Sequence, residues 1–268
     1  MAHLPGFLLS LDWRWVRLIL AAFIAGVLNA VAGGGSFLSF PALLGMGVLP
    51  VPANATNTVA VWPGQLTSIA GYRDEVGRNL RLAWPMGLAG LLGGSAGALV
   101  LLHTPQKTFL HLVPWLLLFA ATIFALTGPI NRLVRRRSGT TVHDGRRHPH
   151  LIPVLLATVG VCFYIGYFGA GAGFLLITLM SLSGFDDLHQ INAIKVVTTT
   201  LANGTAALLF VLNGQVVWHY CVLAMIACGL GGYSSASLAR RVPQAVLRAV
   251  VVAIGVSMAA WFFWKNGV

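Results

Sequence analysis

The chain has 268 residues, of which 57% are hydrophobic and only 9% are charged, and its mean hydropathy is +0.82. Soluble domains carry about a quarter charged residues, so this composition excludes an ordinary soluble protein and predicts an all-α polytopic membrane protein with about eight to ten transmembrane elements. The formal net charge is +11. Because the basic residues cluster in loops, where they determine topology, nucleic acid is not an expected partner.

The first apolar run, Leu18 to Ala32, is followed directly by a cluster of glycines, "AGGGSFLSFP" at residues 32–41. The run ends in small residues that resemble a signal-peptide cleavage site, but more apolar chain follows, which favours a membrane span. A cluster of glycines leaves backbone N–H and C=O groups available at membrane depth, where protein or a water-filled cavity must satisfy them. We therefore expect a junction of discontinuous helices, at which Gly34 and Gly35 let half-helix N-termini offer N–H groups to an anion. Packing of small residues between helices is the alternative.

The next segment, "NATNTVAVWPGQLT" at residues 54–67, is polar although it lies between apolar runs. Its amides and hydroxyl can replace the water that an anion loses on entering the membrane. The candidate substrate-binding residues here are Asn54, Thr56, Asn57 and Gln65.

Catalysis and metal binding are not expected. "GGSAG" at residues 93–97 fits the pattern of a nucleophile elbow, but that motif needs a strand-to-helix turn with an assembled histidine and acid, and Ser95 lies in a predicted helix. The three cysteines fall in apolar runs, where free thiols behave as small hydrophobes. We expect no catalytic residue, no metal site and no cofactor.

The only long polar stretch is "NRLVRRRSGTTVHDGRRHPH" at residues 131–150. As the densest basic segment it is predicted to be a cytoplasmic linker. It divides the chain into a first transmembrane repeat, residues 1–130, and a second, residues 151–268.

The second half opens with another glycine cluster, "GAGAGF" at residues 169–174, and continues to the polar segment "NAIKVVTTTLANGT" at residues 192–205. An ionisable side chain inside a bilayer is costly unless it is paired or hydrated, which makes Lys195 a candidate for a functional site. Its ammonium group can serve as a point charge for an oxyanion. The alternative is a lysine that snorkels to an interface. The candidate substrate-binding residues of this half are Gly171, Gly173, Asn192, Lys195, Thr198, Thr199 and Asn203.

The two halves are related by an internal repeat. One constant offset, without a gap, pairs Gly35 with Gly173, places Asn57 opposite Lys195 and places Gln65 opposite Asn203. The further identical pairs are Gly33 and Gly171, Asn54 and Asn192, Ala55 and Ala193, Thr67 and Thr205, Gly93 and Gly231, and Gly94 and Gly232. Duplicated halves with interrupted segments are typical of secondary transporters, which bind substrate at the repeat interface near the membrane midplane.

The orientation of the halves depends on how each glycine-broken run is counted. Two elements per run give an odd number of elements in each half and inverted halves, whereas one element gives parallel halves, and the charge bias is the same for both. We favour inverted halves because residues 36–47 and 173–184 are typical of short half-helices.

Several of these motifs together resemble the sulfite exporter TauE/SafE family, also called the toluene sulfonate uptake permease family. They are the glycine break ending at Pro41, "NATN" after "LGMGVLPVPA", "GYFGAGAGF", "NGQVVWHY" and "GLGGYSSASLARRVP". The resemblance covers nearly the whole chain. It implies a transporter of small sulfur-containing anions, such as sulfite, thiosulfate, sulfonate or sulfoacetate, in the inner membrane of a bacterial cell. The lipid bilayer is then a partner, and a homo-oligomer is left open. An anion channel or a non-transporting subunit of a membrane complex is the alternative.

Overall fold

The computed structural model of the protein describes residues 13–31, 34–138, 151–185, 187–238 and 244–266. Helices and no strands form in these ranges, as the composition predicted. The helices of the first half are α1 (Trp13–Val31), α2 (Ser36–Gly45), α3 (Pro50–Gly71), α4 (Arg73–Arg78), α5 (Leu80–His103) and α6 (Gln106–Ser138). Those of the second half are α7 (Leu151–Tyr167), α8 (Ala172–Leu182), α9 (Leu188–Leu212), α10 (Trp218–Leu238) and α11 (Gln244–Asn266). Residues 131–138 of the predicted linker continue α6, and residues 139–150 lie outside the described residues.

The helix ends follow from local sequence. The first residue of α3 is Pro50, whose fixed φ suits that position and whose missing N–H would have had no partner there. Asp187 caps α9 by accepting a hydrogen bond from the backbone N–H of His189. Just beyond the ends of α2 and α8 lie Gly47 (φ 86°) and Gly184 (φ 90°), whose left-handed conformation stops a helix. Both half-helices expected beside the glycine clusters are therefore present, and both are short.

Within the described residues, Leu80–His103, Gln106–Leu126 and His189–Leu212 are long and apolar enough to cross a membrane. Shorter apolar helices include Ser36–Gly45 and Gly173–Leu182. Large apolar side chains, such as those of α5, face outward, as expected where lipid replaces water. The protein is a multi-pass membrane protein.

The main helix pairs recur when the halves are exchanged. The helix α5 of the first half packs against α7 and α9 of the second, and α10 of the second half packs against α1 and α3 of the first. Two contacts join a helix to its own counterpart, since α3 packs against α9 and α6 against α11. The repeat seen in the sequence is therefore also a repeat of contacts.

Glycines at equivalent positions hold two of these interfaces together. A Cβ atom added at Gly93 would overlap the carbonyl oxygen of Val159, so α5 lies in close contact with α7. A Cβ atom at Gly231 would overlap the carbonyl oxygen of Phe23, so α10 lies equally close to α1. Small residues that allow such approach are the usual basis of helix packing in membranes.

The counterpart helices α3 and α9 run antiparallel. Near the start of α3, Thr56 accepts a hydrogen bond from the N–H of Val217, just beyond the end of α9. Beyond the other end of α3, α4 packs against α9, and Asn79 accepts a hydrogen bond from Gln190 in the first turn of α9. Each end of α3 thus lies beside the opposite end of α9.

Aromatic side chains anchor the short helix α2. Phe40 is buried and makes edge-to-face contacts with Phe168 and Phe109, at ring-centroid distances of 5.5 Å and 6.3 Å. It also stacks on Phe262 of α11. These contacts hold α2 against α6 and α11.

Candidate functional site

A cavity of about 560 Å³ lies between the counterpart helices α3 and α9 and is bordered by α1 and α10. Its lining includes five of the residues that the sequence singled out, namely Gln65, Gly173, Lys195, Thr199 and Asn203. The three on α9 are spaced by four residues, which places them on one face of the helix. The structure thus brings together candidates from the polar segments of both repeats.

Lys195 is the only formally charged side chain among the described residues that line this cavity. It is partly exposed and lines the cavity, so protein does not enclose it completely. An isolated charge in the membrane is stabilised only by water or by a partner of opposite charge. The cavity is therefore suited to an anion.

Neutral polar groups surround this charge. Asn203 donates a hydrogen bond of 3.1 Å to the side-chain oxygen of Gln65 across the two helices. The hydroxyl of Thr199 donates to the backbone oxygen of Lys195 at 2.8 Å. Amides and a hydroxyl that already form these bonds can exchange them for bonds to a ligand at little net cost.

Counterpart residues contact each other beside the cavity. Gln65 and Asn203 are 138 residues apart in sequence, and so are Trp62 and Thr200, where the indole N–H donates to the backbone oxygen at 3.0 Å. In a two-fold arrangement, a residue meets its own equivalent only close to the symmetry axis. These pairs mark the centre of the contact between the halves.

Three first-repeat candidates form structural hydrogen bonds outside the cavity lining. Asn54 donates to the backbone oxygen of Tyr167 in the second repeat, at 3.1 Å. Thr56 accepts the bond from the N–H of Val217, immediately before α10. Asn57 accepts a hydrogen bond from Ser39 of α2. All three candidates are buried and tie α3 to its neighbours.

The two second-repeat candidates Asn192 and Thr198 are likewise not among the cavity-lining residues. Asn192 is partly exposed in the first turns of α9. Thr198 is fully buried, donates to the backbone oxygen of Ile194, and lies against Gly90 of α5. Thr198 therefore belongs to the packed side of α9.

The four glycine candidates differ in their surroundings. Gly34 is buried, and a Cβ atom at Gly35 would overlap the carbonyl oxygen of Ala25, so this break packs on α1. Gly171 (φ 74°) precedes α8 and lies near Phe37 of α2, where a left-handed conformation suits glycine. Only Gly173 lines the cavity.

Several cavity residues escaped the reasoning from sequence. Asn29 and Ser36 flank the first glycine break, and Thr58 lies on α3. The residue equivalent to Thr58 in the second repeat, Val196, also lines the cavity. Thr58 lies inside the polar segment at residues 54–67, which was a usable signal, whereas its counterpart Val196 is apolar. Tyr233 comes from α10, and nothing in its local sequence indicates the cavity.

The model of the family described as "Sulfite exporter TauE/SafE" matches residues 18–262. A "Probable membrane transporter protein" of Haemophilus influenzae is 27% identical over 251 residues, which is 93% of this chain and 94% of the relative. The "Probable membrane transporter protein ORF9" of Sinorhizobium sp is 28% identical over 90% of this chain and 89% of its own length. The "Probable membrane transporter protein YfcA" of Escherichia coli K12 is 26% identical over 93% and 89%. No solved structure is a significant match. The family match spans the helices that enclose the cavity, and the chain is a membrane transporter of the sulfite exporter TauE/SafE family.

Proposed function

We propose that this transporter carries small sulfur-containing anions across the bacterial inner membrane and binds them beside Lys195, between α3 and α9. The observation that carries the proposal is that the cavity at the contact of the two repeats has one formal charge in its described lining, and that charge is positive. A positive charge is what a sulfite-type or sulfonate-type oxyanion needs in order to bind. Thr199, Asn203 and Gln65 are the proposed hydrogen-bonding partners. The other candidate residues would position the helices that carry them.

We further infer that the two repeats are inverted, with a pseudo-two-fold axis in the membrane plane. The antiparallel course of the counterpart helices α3 and α9 supports this, because parallel repeats would leave their equivalent helices parallel. The axis would pass close to the Gln65–Asn203 pair.

A difference between counterpart surfaces favours a carrier over a channel. On α10, Met225, Cys228 and Gly232 line the cavity. On α5, the equivalent residues Gly87, Gly90 and Gly94 lie in close contact with α9. One surface is open while its equivalent is closed, and exchange of the two would open the site to the other side of the membrane. Alternating access in inverted-repeat transporters uses such an exchange.

The sidedness of the cavity follows from the course of the chain. The cavity takes the C-terminal half of α3 and the N-terminal half of α9, and Tyr72 at the end of α3 lines it. The chain then returns through α5 and α6, so the basic end of α6 lies on the same side as Tyr72. If the segment at 131–150 is cytoplasmic, as its charge favours, this conformation opens to the cytoplasm.

Uptake into proteoliposomes of the purified protein tests the proposal. The substrate panel is sulfite, thiosulfate, sulfate and organosulfonates, and the matched variants are Lys195→Ala and Lys107→Ala, the latter at an exposed position. Saturable flux that Lys195→Ala impairs and Lys107→Ala does not would support a carrier with this site. Conductance far above carrier turnover would indicate a channel. No flux of any panel anion would favour a non-transporting subunit and overturn the proposal.

A further inference from the structure

We infer that the site accepts monovalent anions and discriminates against divalent anions of the same shape. The inference rests on the proposed function and narrows it, because the family's candidate substrates include both classes. Sulfonates and hydrogensulfite carry one negative charge, whereas thiosulfate, sulfate and sulfoacetate carry two.

The charge of the lining sets the limit. Lys195 contributes the one formal charge among the described lining residues, and the neighbouring polar groups, such as Asn29, Gln65 and Asn203, are neutral. A bound monoanion therefore leaves the site with no net charge. A bound dianion leaves one uncompensated negative charge in surroundings of low dielectric constant, which is strongly unfavourable.

Charges outside the cavity do little to offset this imbalance. The arginines nearest in sequence to a cavity-lining residue are Arg73 and Arg78 on α4, which follow Tyr72, and both are exposed. Arg73 pairs with Asp74 and Arg78 with Glu75, so each cation already has an acidic neighbour. Exposed charges are screened by water and salt. They attract anions of any valence to this end of the protein rather than compensating a second charge at depth.

The walls of the cavity also suit an anion with an apolar substituent. Val61, Val196 and Met225 line it together with the polar groups. Replacing one oxygen of sulfate by a methyl group gives methanesulfonate, which keeps the tetrahedral shape and loses one charge. Contact of that methyl group with apolar side chains requires no hydrogen bond, whereas a fourth oxygen would need a donor.

The experiment is competition between these two anions. Uptake of a panel anion that the wild-type protein transports is measured in proteoliposomes with increasing methanesulfonate or sulfate, at constant ionic strength and zero membrane potential. Because a second buried charge is uncompensated, methanesulfonate should inhibit at concentrations at least about a hundredfold lower than sulfate. Two variants, Gln65→Lys and Ser68→Lys, add a second cation at the cavity lining. Either should reduce the preference for methanesulfonate by at least about tenfold.

The wild-type comparison decides the inference even where a variant does not fold. The inferred preference for monovalent anions is overturned by any of three results. These are equal inhibition by the two anions, stronger inhibition by sulfate, and inhibition by neither. Continued uptake of the panel anion would still leave the proposed function standing in each of those cases. If a folded Gln65→Lys or Ser68→Lys protein kept the wild-type preference, a cause other than the number of cations would be responsible, which also overturns the inference.

Discussion

The surfaces that α5 and α10 present to the polar helices are counterparts in sequence but differ in structure. On α5, a Cβ atom at Gly90 or Gly94 would collide with the backbone of α9 at Thr198 or Ala202. On α10, a Cβ atom at the counterpart Gly232 would meet only the carbonyl oxygen of Gly26, at 3.9 Å. One sequence pattern thus supports both a closed and an open contact. The repeat determines which helices meet, and the difference between the halves leaves one of two equivalent contacts open.

The largest expected effect comes from adding one methyl group to the closed side. Gly94→Ala places a carbon atom against backbone that cannot yield, and such overpacking costs about 1–3 kcal/mol. We expect a lower midpoint of thermal unfolding in detergent and a loss of most transport. The matched variant Gly232→Ala has room for the methyl group in this conformation and should unfold like wild type.

Uptake and thermal unfolding of the two variants, at equal protein level, check the comparison. If Gly94→Ala and Gly232→Ala behave alike in both measurements, the two surfaces do not differ in the way described, and the closed side is not closed by these glycines.

The next largest effect is expected from removing the positive charge of Lys195, which lines the cavity. Lys195→Ala removes a charge-assisted contact worth about 1.5–3 kcal/mol, and so should raise the half-saturation concentration roughly ten- to a hundredfold. Lys195→Arg should recover part of the affinity, because the charge survives with a different geometry. Lys107→Ala, at the exposed start of α6, is the control. An unchanged half-saturation concentration in Lys195→Ala would leave the lysine a snorkelling side chain outside the binding site.

Much of the architecture could be predicted from sequence because the repeat and the apolar runs are properties of the chain itself. The segments 36–47 and 173–184 were expected to be short half-helices. The helix α2 lies within the first, and α8 begins one residue before the second and ends inside it. The spacing of Lys195, Thr199 and Asn203 by four residues also indicates one helix face.

The choice between neighbouring side chains could not be predicted. Thr198 and Thr199 are adjacent, yet a step of one residue turns the side chain by about 100° around the helix. Thr198 therefore points to α5 and Thr199 to the cavity. Which face of α9 is open depends on the packing of α5 and α10, which are far away in sequence. For the same reason the contribution of Tyr233 has no local signal.

A smaller effect is expected from chemical labelling of the open side. Cys228 lines the cavity and is 9% exposed, whereas Cys221 lies on the same helix and is 0% exposed. In single-cysteine variants made by Cys→Ser replacement, a small thiol reagent should modify Cys228 several-fold faster than Cys221, since reactivity follows access. A transported anion should slow the reaction at Cys228 only. Equal rates, or a lack of protection by the anion, would argue against the cavity as the binding region.

The smallest effect is expected from breaking the hydrogen bond between Gln65 and Asn203, which joins α3 and α9. Gln65 and Asn203 are counterparts joined by a hydrogen bond. If the proposed two-fold axis passes close to this pair, the contact is kept when the halves exchange conformations. Gln65→Ala and Asn203→Ala should therefore each weaken apparent affinity only a few-fold, because a neutral hydrogen bond contributes about 0.5–1.5 kcal/mol. The losses should not add in the double variant, since either change breaks the same bond.

Labelling of Cys228 without substrate should stay at the wild-type rate in all three proteins, because loss of an axial contact favours neither conformation. Concentration-dependent uptake and labelling rates of the set measure both properties. Fully additive losses would show that the two amides act independently, and a change in labelling rate would show that their bond favours one of the two conformations.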